Sequence, residues 1–334
     1  MARDYQYLSV AGHGWSGSEA LMDLLREFDS IGEFRMEFRM FRDPHGIMDL
    51  EYQMVDRWDA INVDIAIKEF LEYIQKIGRK RTKFTWGYNH EEVFNGKFYE
   101  CATKFIEEIT SYEYNSYWWF VDYRKPYWGW MRQRIMQRFF KKGYGEKSYF
   151  GRITREEFHL ASQHYMESII EAYKGERHYD YFLVKQLVSA TNPYKILDYC
   201  PGAKIMLIDR DPRDNYVQMI TKRKLIGYDI ADSHNVMKYV EWYKAQRINP
   251  VEDSSDFLYI QYEDLIYHYD EMLAKIVDFM KVDGITLNHA RKKQLFNPDV
   301  SIQYVGIYKD YPYQDEIHII EKELAAYLYD NKRK

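Results

Sequence analysis

The glycines and serines in AGHGWSGSEALMDLL, residues 11–25, are spaced like a turn that holds an anion. Gly12 and Gly17 have four residues between them, as in the phosphate loop of nucleotide triphosphatases, which continues with Lys and then Ser or Thr. Here Ser18 and Glu19 occupy those two places. Triphosphate hydrolysis is a poor match without the Lys that reaches the β- and γ-phosphates and the hydroxyl that holds Mg²⁺. The cradle itself survives. Gly14 and Gly17 let backbone N–H groups close on an anion, and the start of the next helix adds partial positive charge. Taken alone, the stretch is equally a glycine-bearing strand-to-helix turn without a ligand.

A second stretch, KIMLIDRDPRDNYVQM (204–219), ends a strand at Arg210 and opens a helix through Asp211, Pro212, Arg213 and Asp214. Pro212 suits a first helical turn, where its missing N–H costs nothing. Arg210, at the carboxyl end of a strand, can grip phosphate with its planar fork; local pairing with Asp211 or Asp214 is the alternative. Asp209-Arg210-Asp211 also reads as D-x-D, the carboxylate pattern with which metal-dependent glycosyltransferases hold a divalent ion on a nucleotide-sugar.

These residues need a scaffold, and the apolar runs supply one. YLSVA (7–11) reads as a buried parallel strand. Ser18 is expected to cap a helix carrying Leu21, Leu24, Leu25 and Phe28 at helical spacing. YFLV (181–184), KIMLID (204–209) and FLYIQY (257–262) are further strands, each followed by helical spacing. The last leads into an amphipathic helix on Leu265, Met272, Leu273, Ile276, Val277 and Met280. Alternating strands and helices predict an α/β fold with a parallel sheet covered on both faces. Residues 50–150 break the pattern. They read as a mostly helical, aromatic-rich insertion over the carboxyl edge of the sheet, with GYGEKSYFG (143–151) as a loop, inside one domain spanning 1–334.

Composition sets the class. The chain has 334 residues, 46% hydrophobic and 30% charged, as in globular proteins. A net charge of −5 gives no global basic field for nucleic acid, although MRQRIMQRFFKK (131–142) concentrates cations. Cys101 and Cys200 lie far apart in no metal spacing, which fits a reducing compartment, and no zinc-ligand pattern is present. The start shows no signal peptide and no apolar run is long enough to span a bilayer, so a cytoplasmic protein without a membrane span or structural metal is expected.

With both motifs in view, the chain resembles the sulfotransferase family that uses 3′-phosphoadenosine 5′-phosphosulfate (PAPS). That family has a G-x-R/K-S/G-G-T loop before a helix, matched here by Gly14-Trp15-Ser16-Gly17-Ser18 with Glu19 following. Its later R-D/N-P-R/K-D turn is matched at 210–214, and the residue eight positions after its first Arg is Gln218. FLYIQYEDLIYHYDEMLAKIVDFM resembles the family's strand, Y-E-D-L turn and helix, and Val305-Gly306-Ile307-Tyr308-Lys309 resembles its late G-x-W-K loop. The likeness covers about residues 5–45 and 180–330. It implies a three-layer, P-loop-type fold and sulfuryl transfer to an acceptor hydroxyl with no metal. The loop would hold the 5′-phosphosulfate, Arg210 and Gln218 the 3′-phosphate, and Gly306, Tyr308 and Lys309 would close over the nucleotide.

The departures locate the remaining chemistry. Many members carry Lys or Arg where this chain has Trp15, which cannot stabilise a leaving phosphate by charge. Lys185, in YFLVKQ, falls where the family often has Lys and offers a replacement; Leu187 stands where some members have a catalytic His. Glycan sulfotransferases of the heparan type use a Glu after the loop helix, and an ungapped count reaches Glu37, with Glu33 as a competitor and His13 as a further candidate base. Glu19, in place of the usual Thr or Ser, would repel an anion unless it points away. The expected acceptor is a carbohydrate or another hydroxyl compound. A glycosyltransferase using the D-x-D, or a non-catalytic nucleotide- or glycan-binding protein, is the rival reading.

Overall fold

The computed structural model describes residues 5–118, 122, 124–140, 146–281 and 287–329. Contacts divide the chain into two compact units, Met1–Phe41 with Glu176–Lys334, and Arg42–Gly175.

The first unit is built on five parallel strands: β1 (Gln6–Gly12), β2 (Ile31–Glu37), β3 (Tyr181–Lys185), β4 (Lys204–Asp209) and β5 (Phe257–Gln261). Their order across the sheet is β2-β3-β1-β4-β5. The inner strands β1, β3 and β4 bury almost every residue, the signature of a sheet covered on both faces. On one face Leu8, Val10, Met206 and Ile208 pack against α1 (Ser18–Leu25) and the helix Tyr269–Met280, through Leu21, Leu25, Met272 and Ile276. A second apolar cluster gathers Tyr216 and Met219 of α2 (Pro212–Lys222) with Tyr239, Tyr243, Ile317 and Ile320. The architecture is the α/β, parallel-sheet fold expected from the sequence.

Three details differ from expectation. β2 was not among the apolar runs, because it is an edge strand bearing Glu33 and Glu37, with a register shift between them; edge strands carry charge where inner strands cannot. The single helix expected after β5 is two, Tyr262–Tyr267 and Tyr269–Met280, split where the backbone of His268 leaves the helical region (φ −125°, ψ 39°). Ser18 does not cap α1. The N-cap is the left-handed Gly17, and Ser18 is already helical.

The second unit holds helices at Ala60–Gly78, Phe98–Ile109, Tyr127–Phe140 and Arg155–Lys174. Asp59 caps the first, its side chain accepting the Ile61 N–H, and Thr154 with Glu157 forms a capping box on the last. Part of the stretch expected as a loop, 146–150, is instead a strand paired antiparallel with Tyr112–Ser116, where Tyr112 stacks on Phe150 directly opposite at 4.9 Å. Residues 143–145 of that stretch lie outside the described residues. No described helix of either unit is long and apolar enough to cross a membrane.

Candidate active site

β1 ends at Gly12, and the chain turns into α1 through Gly14 (φ 86°), Trp15 (φ 56°) and Gly17 (φ 95°). Three left-handed residues within four positions fold the backbone tightly, at little cost for glycine and with strain at Trp15. The Trp15 side chain is left exposed. Gly17 is required sterically as well, since a Cβ there would lie 2.3 Å from the Tyr262 ring. Ser16 Oγ is buried, folded beneath Gly12 and, among the described residues, without a hydrogen-bond partner. The first-turn amides of α1 have no intrahelical partner by helix geometry, and no side chain caps them. They present donors and the positive end of a helix dipole where an anion can bind.

Beside this loop, two strand ends bring three candidate residues together. Glu37 of β2 is in register with Lys185 of β3. Lys185 Nζ lies 3.4 Å from Glu37 Oε1 and forms an ion pair with Glu19 of α1. Glu19 therefore turns towards the cation. It also approaches Arg26, at 3.6 Å. The Lys185 side chain is largely covered, whereas those of Glu19 and Glu37 are about half exposed, at 57% and 47%. Glu33, the competing carboxylate, is held by Arg26, which donates from Nε to both of its oxygens at 2.9 and 2.7 Å. His13 lines a different cavity, of about 200 Å³, together with Leu207, Asp209, Arg247 and Asn249; none of Glu19, Glu37 or Lys185 lines it.

The next strand end carries Arg210. β1 and β4 are parallel neighbours, with Gly12 opposite Ile208, so the loop and Arg210 leave the same edge of the sheet. Tyr262 joins them. Its ring packs on Gly17 and lies 5.0 Å below the Arg210 guanidinium. Asn215 adds a second link by donating from Nδ2 to the Gly14 carbonyl at 2.8 Å. Arg210 is 5% exposed; its Nη2 donates to the Tyr304 carbonyl and stands 3.9 Å from Asp214 Oδ2, while its Nε is buried and has no partner among the described residues. Gln218 lies one turn beyond Asp214 on α2, half-buried.

The late loop is fastened to the same turn. Asp214 accepts the Gly306 N–H at 2.7 Å and the Tyr308 N–H at 3.2 Å. Burial raises the pKa of Asp214, with Arg210 and the two amides opposing the rise. The Arg213 guanidinium stacks 4.1 Å over Tyr308 while pairing with Asp211 and Glu321. Gly306 is left-handed (φ 79°), and the Lys309 side chain folds back beside it. Glu263, in the Y-E-D-L turn, accepts the Asp211 N–H at 3.0 Å, and burial pushes its pKa up to about 7.

The D-x-D reading does not fit this arrangement. Asp209 is gripped by Arg247 at 2.7 and 2.5 Å, and Asp211 by Arg213 at 2.9 and 2.7 Å, so each carboxylate already serves a guanidinium. Among the described residues no cluster of three or more His, Cys, Asp or Glu could hold a metal ion.

Tyr262 and Asn215 have no role assigned from the sequence, and Asp214 enters there only as a pairing partner of Arg210. Tyr262 lies in the Y-E-D-L turn and Asp214 in the R-D-P-R-D turn, so motif position was the available signal; Asn215 carried none.

Comparison with known proteins adds a family. A model described as the sulfotransferase family matches residues 116–286, just over half of the chain. The match starts between the two stretches that carry the motif likeness, and the Gly14–Ser18 loop lies outside it. No curated protein sequence matches the chain. Among solved structures, the sulfotransferase domain of the Synechococcus PCC 7002 olefin synthase is similar at 12% identity and TM-score 0.40, over 98% of this chain and 97% of that one. The sulfotransferase STF9 from Mycobacterium avium is similar at 10% identity and TM-score 0.38, over 98% and 76%.

Proposed function

The chain belongs to the sulfotransferase family, and from that premise we propose that it moves the sulfuryl group of PAPS to an acceptor hydroxyl, on a carbohydrate. The observation that carries this reading is the Glu37–Lys185 pair beside an uncapped, glycine-lined helix start, with Arg210 one strand away on the same edge. Two features support a nucleotide charged at both ends. The loop Gly14–Ser18 runs into the start of α1, which no side chain caps, and the Arg210 Nε is buried without a partner among the described residues. A 5′-phosphosulfate suits the first and a 3′-phosphate the second.

When bound, the nucleotide supplies the sulfuryl group and a phosphate leaving group. The rest falls to the chain, by positioning and charge stabilisation. Gly14, Trp15, Ser16, Gly17 and Ser18 hold the 5′ end through their backbone. Lys185, already placed between Glu19 and Glu37, supplies the cation that Trp15 lacks. Glu37 takes the proton of the acceptor hydroxyl. Glu19 steadies Lys185 by its ion pair. Arg210 and Gln218 take the 3′-phosphate, with Gly306, Tyr308 and Lys309 alongside. His13 belongs to the neighbouring cavity and is given no part in the proton transfer.

Transfer of labelled sulfate from PAPS to a panel of glycans and phenols tests the reading. Wild type should sulfate a glycan, and Glu37→Gln should lower kcat by roughly 10²–10⁴-fold with KM for PAPS little changed. Nucleotide binding without transfer to any acceptor would favour a non-catalytic binder. Manganese-dependent binding of nucleotide-sugars in place of 3′-phosphorylated adenosine would favour the glycosyltransferase.

A further inference from the structure

The helix Ala60–Gly78 is followed by a short turn, RKRTKFTWGY (79–88), that the proposed reaction does not use. The turn is tightly built. Thr82 Oγ1 accepts the Phe84 and Thr85 N–H groups at 3.1 and 3.0 Å, and Thr85 Oγ1 donates to the Lys80 carbonyl at 2.8 Å. The Thr82 N–H donates to the Thr85 carbonyl at 2.9 Å, and the Asn89 N–H to the Arg79 carbonyl at 2.9 Å, closing the base. Gly87 passes so near Arg79 that a Cβ there would lie 2.0 Å from its carbonyl oxygen.

What this frame displays is unusual for a surface turn. Phe84 at the tip is 97% exposed, and Trp86 and Tyr88 behind it are 58% and 56% exposed. Arg79, Lys80, Arg81 and Lys83 belong to the same turn, all exposed. Lys80 pairs with Glu92 at 3.3 Å, whereas Arg81 and Lys83 form no ion pair among the described residues. A ring left almost wholly in water is not inside a cleft, so its partner must meet it as a surface. Large apolar side chains are kept exposed where a partner covers them. One almost fully exposed ring, two half-exposed aromatics and four exposed cations in one short turn are the residue types suited to the hydrocarbon, interface and headgroup of an anionic bilayer.

We propose that the turn 79–88 docks the protein on membranes containing anionic phospholipid, with Phe84 entering the acyl region and Arg79, Lys80, Arg81 and Lys83 engaging headgroup phosphates. The contact is peripheral. It is also independent of the sulfuryl-transfer reading, since no residue of the turn belongs to the candidate active site.

Cosedimentation of the full chain with phosphatidylcholine vesicles, with and without phosphatidylserine, tests this. Wild type should sediment with the phosphatidylserine vesicles and release as salt rises. Phe84→Ser should weaken binding roughly 10-fold or more, from the lost burial of one ring. Neutralising Arg81 and Lys83 should weaken it by about 5-fold each. All three residues are exposed, so unchanged circular dichroism and thermal midpoint are expected and keep a binding loss interpretable. No sedimentation of wild type, or sedimentation that neither change affects, would overturn the proposal. So would binding to dextran sulfate through these residues with none to vesicles, which would make the turn an acidic-polymer site.

Discussion

The two ends of the candidate active site are built differently. At the Arg210 end the charges are interior: Arg210 and Asp214 are 5% and 1% exposed, enclosed by Tyr262, the Tyr304 carbonyl and the amides of 306 and 308. At the Lys185 end, one largely covered cation faces two carboxylates that are about half exposed. Buried charge networks are costly to break, whereas exposed ion pairs contribute roughly 0–1 kcal/mol. The Arg210 end is therefore part of the fold, and the Lys185 end can exchange partners without disturbing it. That division suits transfer chemistry, in which the nucleotide is held fixed while the acceptor and its proton must come and go.

The contrast can be broken by substitution, and the largest effect is expected at the anchor. Arg210→Ala leaves Asp214 buried without its cation and should cost about 3 kcal/mol or more in denaturant unfolding. It should also abolish thermal stabilisation by 3′-phosphoadenosine 5′-phosphate. A variant as stable as wild type would place Arg210 outside the structural network. Gly17→Ala comes next. It combines a left-handed backbone with a Cβ 2.3 Å from Tyr262, and a loss of about 2 kcal/mol is expected, together with weaker nucleotide binding.

Glu263 sharpens the comparison through pH. Its pKa rises from the ordinary 4.5 to about 7 in the folded state because it is buried beneath the Arg210 turn. A folded state that holds a proton more tightly than the unfolded chain is favoured at low pH. The Glu263 contribution should therefore be full below about pH 4.5 and lost as pH rises towards 7, by about 1–3 kcal/mol. Glu263→Gln should flatten that part of the pH–stability profile; an unchanged slope would remove Glu263 as its source. The smallest stability effects belong to Glu37→Gln and Lys185→Ala, within about 1 kcal/mol, while sulfate transfer falls by orders of magnitude. Comparable losses of stability and activity would mean that these residues hold the fold rather than perform chemistry.

How far the sequence anticipated this follows from what each residue type records. β1, β3 and β4 are apolar runs because both faces of a covered parallel sheet are buried, and such runs are visible without coordinates; β5, at the other edge, is an apolar run that leaves Tyr259 exposed. β2 carries the charge an edge strand tolerates and leaves no such trace. Glycines spaced for a tight turn marked the loop, but the choice of Gly17 over Ser18 as the N-cap depends on backbone angles that composition does not encode. Lys185 and Glu37 were separate candidates in the sequence. Their meeting depends on β2 pairing with β3, two strands separated in sequence by residues 38–180, and on Glu19 turning towards Lys185. The role of Tyr262 as the ring shared by Gly17 and Arg210 is likewise a product of tertiary packing.

The central claim is that one adenosine nucleotide spans the Gly14–Ser18 amides and Arg210. Titration calorimetry of the wild-type protein with 3′-phosphoadenosine 5′-phosphate and, separately, with adenosine 5′-phosphate tests it most directly. The account predicts that the 3′-phosphorylated nucleotide binds at least about 10-fold more tightly, as expected for a charge-assisted Arg–phosphate contact. Equal affinity for the two nucleotides, or binding of neither, would contradict it.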